Sequence, residues 1–116
     1  MIFEDEAIAG LETERVLKEQ GWDATAVITR GDEMVKEILR GNPDLVISDI
    51  HFGGYRDGVD IVKRLRLVKP DIPVIYVTAY GDREIRAKAA LTAPKAFITK
   101  PFLDVELVDA VRTALL

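Results

Sequence analysis

Short apolar runs alternate with amphipathic stretches along the chain, and this pattern predicts strands that alternate with helices. We predict strands at residues 2–3, 23–29, 45–48, 73–77 and 96–99, which are rich in valine, isoleucine, phenylalanine and threonine. We predict helices at residues 7–20, 31–40, from 58 to just before 70, 82–91 and from 104 to 115. Five strand–helix alternations with short connections favour a parallel sheet with right-handed crossovers and helices on both faces. Residues 1–116 are therefore predicted to form a single three-layer α/β domain.

Apolar side chains at helical spacing are predicted to face the core. They are Ile8, Leu11, Val16 and Leu17 in the first helix, Met34, Val35, Ile38 and Leu39 in the second, Val59, Val62, Leu65 and either Leu67 or Val68 in the third, and Val105, Val108, Val111 and Leu115 in the last. Gly21 and Gly41 are predicted to end the first two helices, and Asp82 and Asp104 to cap the last two.

The run at residues 45–47 ends in an acid that cannot belong to a core. A brief apolar run bounded by turn signals is typical of a strand that is buried on both faces in a parallel sheet. Asp49 then follows at the carboxyl end of this strand, which is where open α/β sheets bind their ligands.

Composition excludes several classes of function. The net charge of −4, with no cluster of lysine and arginine, argues against nucleic-acid binding by this chain itself. With no cysteine, the chain has neither disulfides nor thiol chemistry, which fits a reducing compartment. No apolar run approaches the roughly 20 residues of a membrane span, and the acidic start does not resemble a signal peptide. We therefore expect a cytoplasmic protein without membrane contact.

Polar side chains follow four of the predicted strands. Glu4 and Asp5 follow the first strand, Asp49 the third, Thr78 the fourth and Lys100 the fifth. Since the carboxyl ends of parallel strands lie at one edge of the sheet, these groups are expected to meet there. Each of them alone is more often an ordinary cap or surface residue, so the prediction depends on their convergence.

Three acids near one ammonium group need a further positive charge. Two carboxylates about 5 Å apart repel by about 3 kcal/mol at an effective dielectric constant near 20. A divalent ion held by oxygen ligands would balance the charge, and such a site suits Mg²⁺, with Mn²⁺ as a substitute. A metal ion, a lysine and a hydroxyl group around a free carboxylate are the components that phosphoryl transfer to an aspartate requires.

At this point the chain resembles the receiver domain of two-component response regulators, of the chemotaxis type. The motifs that carry the resemblance are residues 3–6 (FEDE), 44–50 (DLVISDI), 57–58 (DG), 73–79 (PVIYVTA) and 100–102 (KPF). The resemblance covers nearly the whole chain, and it implies a flavodoxin-like (βα)5 fold, a doubly wound sheet of five parallel strands in the order 2-1-3-4-5.

The resemblance also implies a role for each matching residue. Asp49 would be the phosphoacceptor, Thr78 and Lys100 would bind the phosphoryl group, and Phe97 stands where the family has its aromatic switch residue. Mg²⁺ would be held by Glu4, Asp5, Asp49 and the backbone carbonyl of His51, and the Lys100-Pro101 bond would be cis. The chain departs from the family in its short first strand, in the proline-free and longer loop from Asp49 to Gly58, in Ala93-Pro94, which replaces the usual Gly-Ala before the fifth strand, and in Phe97, which lacks the hydroxyl of a tyrosine.

The implied function is a phosphorylation-dependent signalling switch, not an enzyme that turns over a metabolite. A sensor histidine kinase or a histidine phosphotransfer protein would donate the phosphoryl group, and an output domain or protein would respond. Formation of a homodimer through the last two helices stays open. Two alternatives remain: a pseudo-receiver that docks partners without phosphorylation, and a phosphatase of the haloacid-dehalogenase type, whose motif has an acid where this chain has His51.

Overall fold

The computed structural model of the chain describes residues 1–4, 6–27, 33–50, 58–79 and 83–116. In these ranges, five parallel strands form one sheet in the order β2-β1-β3-β4-β5. The strands are β1 (Ile2–Phe3), β2 (Ala26–Val27), β3 (Val46–Asp49), β4 (Val74–Ala79) and β5 (Ala96–Lys100). The helices are α1 (Ala7–Glu19), α2 (Met34–Gly41), α3 (Gly58–Val68), α4 (Arg83–Ala90) and α5 (Asp104–Ala114). The predicted flavodoxin-like fold and its strand order are confirmed.

The sheet separates two apolar clusters, because successive side chains of a strand point to opposite faces. Helices α2, α3 and α4 cover one face, where Phe3, Val46 and Tyr76 are buried. Helices α1 and α5 cover the other face, where Ile47, Val77 and Ile98 are buried. All four residues of β3 are buried, as predicted for a strand covered on both faces. No helix in the described ranges is both long and apolar enough to cross a membrane.

Several predictions of which side chains face the core are wrong. Among the apolar positions assigned to the core, seven are exposed: Ile8 (80%), Leu11 (57%), Leu39 (49%), Leu67 (85%), Val68 (53%), Val105 (56%) and Leu115 (40%). The buried residues of α1 are Gly10, Val16 and Leu17. With 100° between successive residues, Ile8 lies about 200° from Gly10 on the helix and therefore faces away from the sheet.

The predicted helix ends are partly right. Gly21 follows α1 with a φ of +91°, a backbone conformation that glycine adopts without a steric penalty. Gly41, by contrast, is the last residue of α2, and Asn42 takes the left-handed conformation with a φ of +45°. Asp104 is the first residue of α5 and does not cap it; Leu103 occupies the cap position and makes no side-chain cap bond. Asp82 lies outside the described residues.

The predicted strands are also shifted at their ends. Thr78 and Ala79, expected in a loop, are the last two residues of β4. Residues 23–25 are not part of β2, and residues 28–29 lie outside the described ranges. Strand ends have no periodic signal of their own, so the pattern finds each strand more reliably than its limits.

Candidate functional site

Three strands of the sheet place charged side chains at its carboxyl edge. Asp49 ends β3 and Lys100 ends β5, whereas Glu4 directly follows β1. In the register of the sheet, Phe3 pairs with Ser48, so Glu4 is one step beyond the last pair and beside Asp49. The predicted convergence of these groups at one edge is therefore present in the structure.

Lys100 joins the two acids. Its Nζ lies 3.1 Å from Glu4 Oε2 and 3.1 Å from Asp49 Oδ2, and it donates a hydrogen bond to each. The other carboxylate oxygen of Glu4, Oε1, accepts a hydrogen bond from the backbone N–H of Glu6 at 3.3 Å. These contacts connect residues that are 96 and 51 positions apart in the sequence, so only the folded sheet brings them together.

The two acids of the cluster are largely buried, whereas the lysine is partly exposed. The side chains of Glu4 and Asp49 are 9% and 11% exposed, and that of Lys100 is 36% exposed. Burial, followed by the negative charge of Asp49, raises the pKa of Glu4 to about 7, although its hydrogen bond with Lys100 opposes the shift. Burial lowers the pKa of Lys100, but its bonds to Asp49 and Glu4 outweigh burial and leave this pKa raised. One ammonium group therefore does not balance both carboxylates.

A glycine lets the backbone close tightly beside Asp49. The N–H of Gly58, the first residue of α3, donates to the carbonyl of Ile50 at 2.9 Å. A Cβ at position 58 would lie 2.6 Å from the carbonyl oxygen of Asp49 and 3.1 Å from that of Ile50. Neither backbone atom can move aside easily, so the start of α3 needs glycine here. The motif at residues 57–58 points to this position, but the sequence alone does not explain why it needs glycine.

Gly10 of α1 lies against Glu4, and it was not among the residues predicted for the site. It is buried, and a Cβ there would contact Glu4 Cβ at 3.4 Å and Ala26 Cβ at 3.6 Å. Both distances are ordinary van der Waals contacts, so a methyl group would fit, and α1 packs closely against β1 where the acid leaves the strand. A glycine inside a predicted helix can mark such a close approach, and this was the signal available.

Thr78 and Phe97 lie on the other face of the sheet, the one that α3 and α4 cover. Thr78 is 1% exposed, and its hydroxyl donates to the carbonyl of Ala79 at 2.9 Å. Phe97 is partly buried and stacks on Tyr76 with ring centroids 5.7 Å apart. The structure thus brings Glu4, Asp49 and Lys100 together and places Thr78 near the end of the neighbouring strand.

The donor atoms at the edge fit a hard divalent cation. Buried carboxylate oxygens that share one lysine are the ligand type that Mg²⁺ prefers. The described residues contain no group of three or more potential metal-binding side chains. Asp5 and His51, which the resemblance assigns to the metal, lie outside the described ranges. The Lys100-Pro101 bond is cis, as the resemblance implied.

Comparisons with known proteins show the family of the chain. Residues 1–112 match the family model of the response regulator receiver domain. The transcriptional regulatory protein PdtaR of Mycobacterium tuberculosis is 30% identical over 114 residues, which are 98% of this chain and 55% of PdtaR. The chemotaxis protein CheY of Thermotoga maritima is 26% identical over 110 residues, which are 95% of this chain and 91% of CheY.

The fold agrees as well. The crystal structure of the receiver domain of NtrX from Brucella abortus matches with a TM-score of 0.90 and 25% identity, over 98% of this chain and 95% of that one. The chain spans about half the length of PdtaR, the first curated relative given above. The match to the family model covers almost all of the present sequence. The chain therefore belongs to the family of response regulator receiver domains.

Proposed function

We propose that Asp49 accepts a phosphoryl group from a phosphohistidine on a sensor histidine kinase or a histidine phosphotransfer protein. The observation that carries this proposal is the position of Lys100 Nζ, 3.1 Å from a carboxylate oxygen of Asp49 and 3.1 Å from one of Glu4. Receiver domains act in two-component signal transduction, and Asp49 is the acid that ends the central strand of this one.

Each neighbour of Asp49 has a proposed task. Glu4, Asp5, Asp49 and the backbone carbonyl of His51 would hold Mg²⁺, or Mn²⁺ in its place. When bound, such an ion neutralises negative charge on the acids and on the incoming phosphoryl oxygens. Lys100 already bonds the Asp49 carboxylate and would keep one bond to it, or to a phosphoryl oxygen, as negative charge is added.

The acceptor oxygen of Asp49 would attack phosphorus in line with the departing imidazole nitrogen. The P–N bond breaks, an acyl phosphate forms on Asp49, and the partner's histidine leaves as neutral imidazole after it takes up a proton. Water later hydrolyses the acyl phosphate to inorganic phosphate and restores the carboxylate. The chain thus carries phosphotransfer and self-dephosphorylation chemistry without being a turnover enzyme.

Thr78 would report the modification to the rest of the molecule. Its hydroxyl bonds to the Ala79 carbonyl in this state, and we propose that it turns to a phosphoryl oxygen after transfer. Phe97 would act as the switch residue, and an output domain or protein would respond to the change. We also propose that the protein is cytoplasmic, because ATP is the source of the phosphoryl groups in such relays.

Mass spectrometry tests this function directly. After incubation of residues 1–116 with acetyl phosphate and Mg²⁺, we expect a mass increase of one phosphoryl group that maps to the peptide holding Asp49. Asp49→Ala should abolish the increase, and removal of the divalent cation with EDTA should suppress it. An unmodified wild type would favour a pseudo-receiver that only docks partners. Release of phosphate from small phosphoesters would favour the phosphatase alternative.

A further inference from the structure

Helices α1 and α5 do not close fully against each other over the sheet. Between them lies a cleft of about 460 Å³, a volume within the range of small-molecule sites. Its lining comes from α1, α5 and three strands, β1, β3 and β4. Glu4, Asp49 and Lys100 also line it, so the cleft is continuous with the charged cluster at the edge of the sheet.

Small side chains on α1 leave this space open. Ala9, Thr13 and Val16 are spaced by four and three residues, so they lie along one side of the helix, and all three line the cleft. The Thr13 hydroxyl donates to the carbonyl of Ala9 at 3.1 Å, so its proton is used within α1. A longer side chain at position 9 would occupy part of the cleft.

The inner part of the cleft is apolar. Ile2, Ile47 and Val77 line it from three neighbouring strands, and Leu107 lines it from α5. All four side chains are buried in the apolar cluster on this face of the sheet. The hydrophobic effect therefore favours an apolar group of a ligand at this place.

Acids outnumber bases in the lining of the cleft. Within the described residues, the lining contains five acids and one base, Lys100. The charge of Glu12 is balanced by Arg15, whose Nε donates to its carboxylate at 3.1 Å. The other four acids are Glu4, Glu6, Asp49 and Asp104.

The helix ends reduce this negative charge but do not cancel it. Helices α1 and α5 begin at Ala7 and Asp104, beside the acids of the cleft, and each amino end carries about half a unit of positive charge. Together with Lys100 they offset about two of the four negative charges. The electrostatic potential in the cleft therefore favours a cation and repels an anion.

We propose that this cleft binds a small organic amine, with its apolar group between α1 and α5 and its protonated amino group among the acids. The amino group would neutralise carboxylates that a divalent cation also needs. The amine would therefore compete with Mg²⁺ and slow phosphoryl transfer to Asp49. This competition rests on the function proposed above, whereas binding to the cleft does not.

Three probes that share a phenethyl group test the charge preference. Phenethylamine is a cation, phenethyl alcohol is neutral and hydrocinnamate is an anion. In NMR titrations of residues 1–116 with EDTA at pH 8, above the pKa of Glu4, we expect the amine to shift the methyl signals of Val16 and Leu107. It should bind at least ten-fold more tightly than hydrocinnamate, with the alcohol between them. Equal affinities, or an amine that leaves these methyl signals unchanged, would overturn the proposal.

Two variants locate the site. Ala9→Leu fills the α1 side of the cleft and should weaken binding of the amine at least ten-fold. Ala87→Leu, at an exposed position of α4, is the matched control and should bind as the wild type does. Asp104→Asn removes one acid from the lining and should weaken the amine about three-fold while leaving phenethyl alcohol unchanged. Urea unfolding shows whether each variant is folded, and wild-type affinity for the amine in either folded cleft variant would overturn the location.

Phosphoryl transfer from acetyl phosphate tests the competition. At a limiting concentration of Mg²⁺, saturating phenethylamine should slow modification of Asp49 at least five-fold, and excess Mg²⁺ should restore the rate. In Ala9→Leu the amine should have no effect. A wild type that is not modified even without the amine would overturn the phosphoacceptor function and the competition, while the NMR titrations would still decide on the cleft. Bound amine with an unchanged rate would overturn the competition alone.

Discussion

The two polar clusters of this domain lie on opposite faces of one sheet and differ in how well their charges and hydrogen bonds are satisfied. On the α1–α5 face, within the part of the chain that the structure describes, Glu4 and Asp49 form ion pairs with the same lysine, Lys100. On the α3–α4 face, Tyr76 and Thr92 are neutral, and their hydroxyl groups form a chain that ends on a backbone carbonyl. The charged cluster therefore has excess negative charge, whereas in the neutral cluster both hydroxyl groups are hydrogen-bonded.

This difference has a physical consequence. Buried carboxylates without enough positive charge raise the free energy of the folded state, and a cation or a proton lowers it again. A satisfied neutral pair contributes a modest stabilisation and fixes geometry. The charged cluster is therefore suited to bind and react, and the neutral cluster is suited to connect the sheet with α4.

The largest expected effect comes from the backbone beneath the charged cluster. Gly58→Ala should lower the free energy of unfolding by about 3 kcal/mol, since its Cβ would lie 2.6 Å from the Asp49 carbonyl oxygen. Gly10→Ala is the matched control: its Cβ would meet Glu4 at an ordinary 3.4 Å, and alanine favours a helix over glycine. Urea unfolding should show a loss in the first variant only. Equal losses in both would contradict the steric explanation.

Removal of the shared cation should be nearly as severe. Lys100→Met leaves Glu4 and Asp49 buried without the ammonium group that they share, and we expect a loss of about 2 to 3 kcal/mol near pH 8, at the low end for a buried pair because Lys100 is partly exposed. Lys95→Met, at an exposed position just before β5, serves as the control. Urea unfolding of both variants measures the difference, and unchanged stability of Lys100→Met would show that the acids do not need their lysine.

The pH dependence of stability should reveal the excess negative charge. Without a divalent cation, Glu4 has a pKa of about 7 in the folded protein against an ordinary value of 4.5. The folded state then binds this proton more tightly, so the contribution of Glu4 to stability is greatest below pH 4.5 and is lost as the pH rises through 7. We expect this loss to be about 2 kcal/mol, less than the full shift implies, because solvent screens the partly exposed partner Lys100. Glu4→Gln should flatten this fall in urea unfolding measured with EDTA. A wild type whose stability rises over this interval would refute the assignment.

A smaller effect is expected beside the neutral cluster. Ala93, next to Thr92, has a φ of +55°, where a Cβ is strained, and Pro94 follows it. Ala93→Gly should raise the free energy of unfolding by about 0.5 kcal/mol, because the relief of strain exceeds the added chain entropy. Ala90→Gly, inside α4, should do the opposite. Thermal unfolding of the two variants compares them, and a destabilised Ala93→Gly would show that the turn carries no strain.

The sequence predicted the helices and strands because hydrophobic periodicity is a local signal. It predicted the edge where the charged groups meet because the carboxyl ends of parallel strands share one edge of the sheet. The prediction failed for the buried side of some helices, because the neighbouring elements decide which side of a helix is covered. Ile8 and Val105 have helical spacing but lie opposite the buried sides of α1 and α5. Phe97 was singled out only by the resemblance to the family, and its role as a switch residue stays a prediction. The contact of Arg86 with the Phe97 ring and the Tyr76–Thr92 bond join separate segments, and no local pattern predicts them.

The most direct test of the excess charge compares wild type with Asp49→Asn in urea, with and without Mg²⁺, near pH 8. We predict that Asp49→Asn is the more stable protein in EDTA, since Glu4 then has Lys100 to itself. We also predict that 10 mM Mg²⁺ stabilises the wild type by about 1 kcal/mol and leaves Asp49→Asn unchanged, the effect of a site with a millimolar dissociation constant. A wild type that is the more stable in EDTA and does not respond to Mg²⁺ would contradict a cluster built to bind a cation.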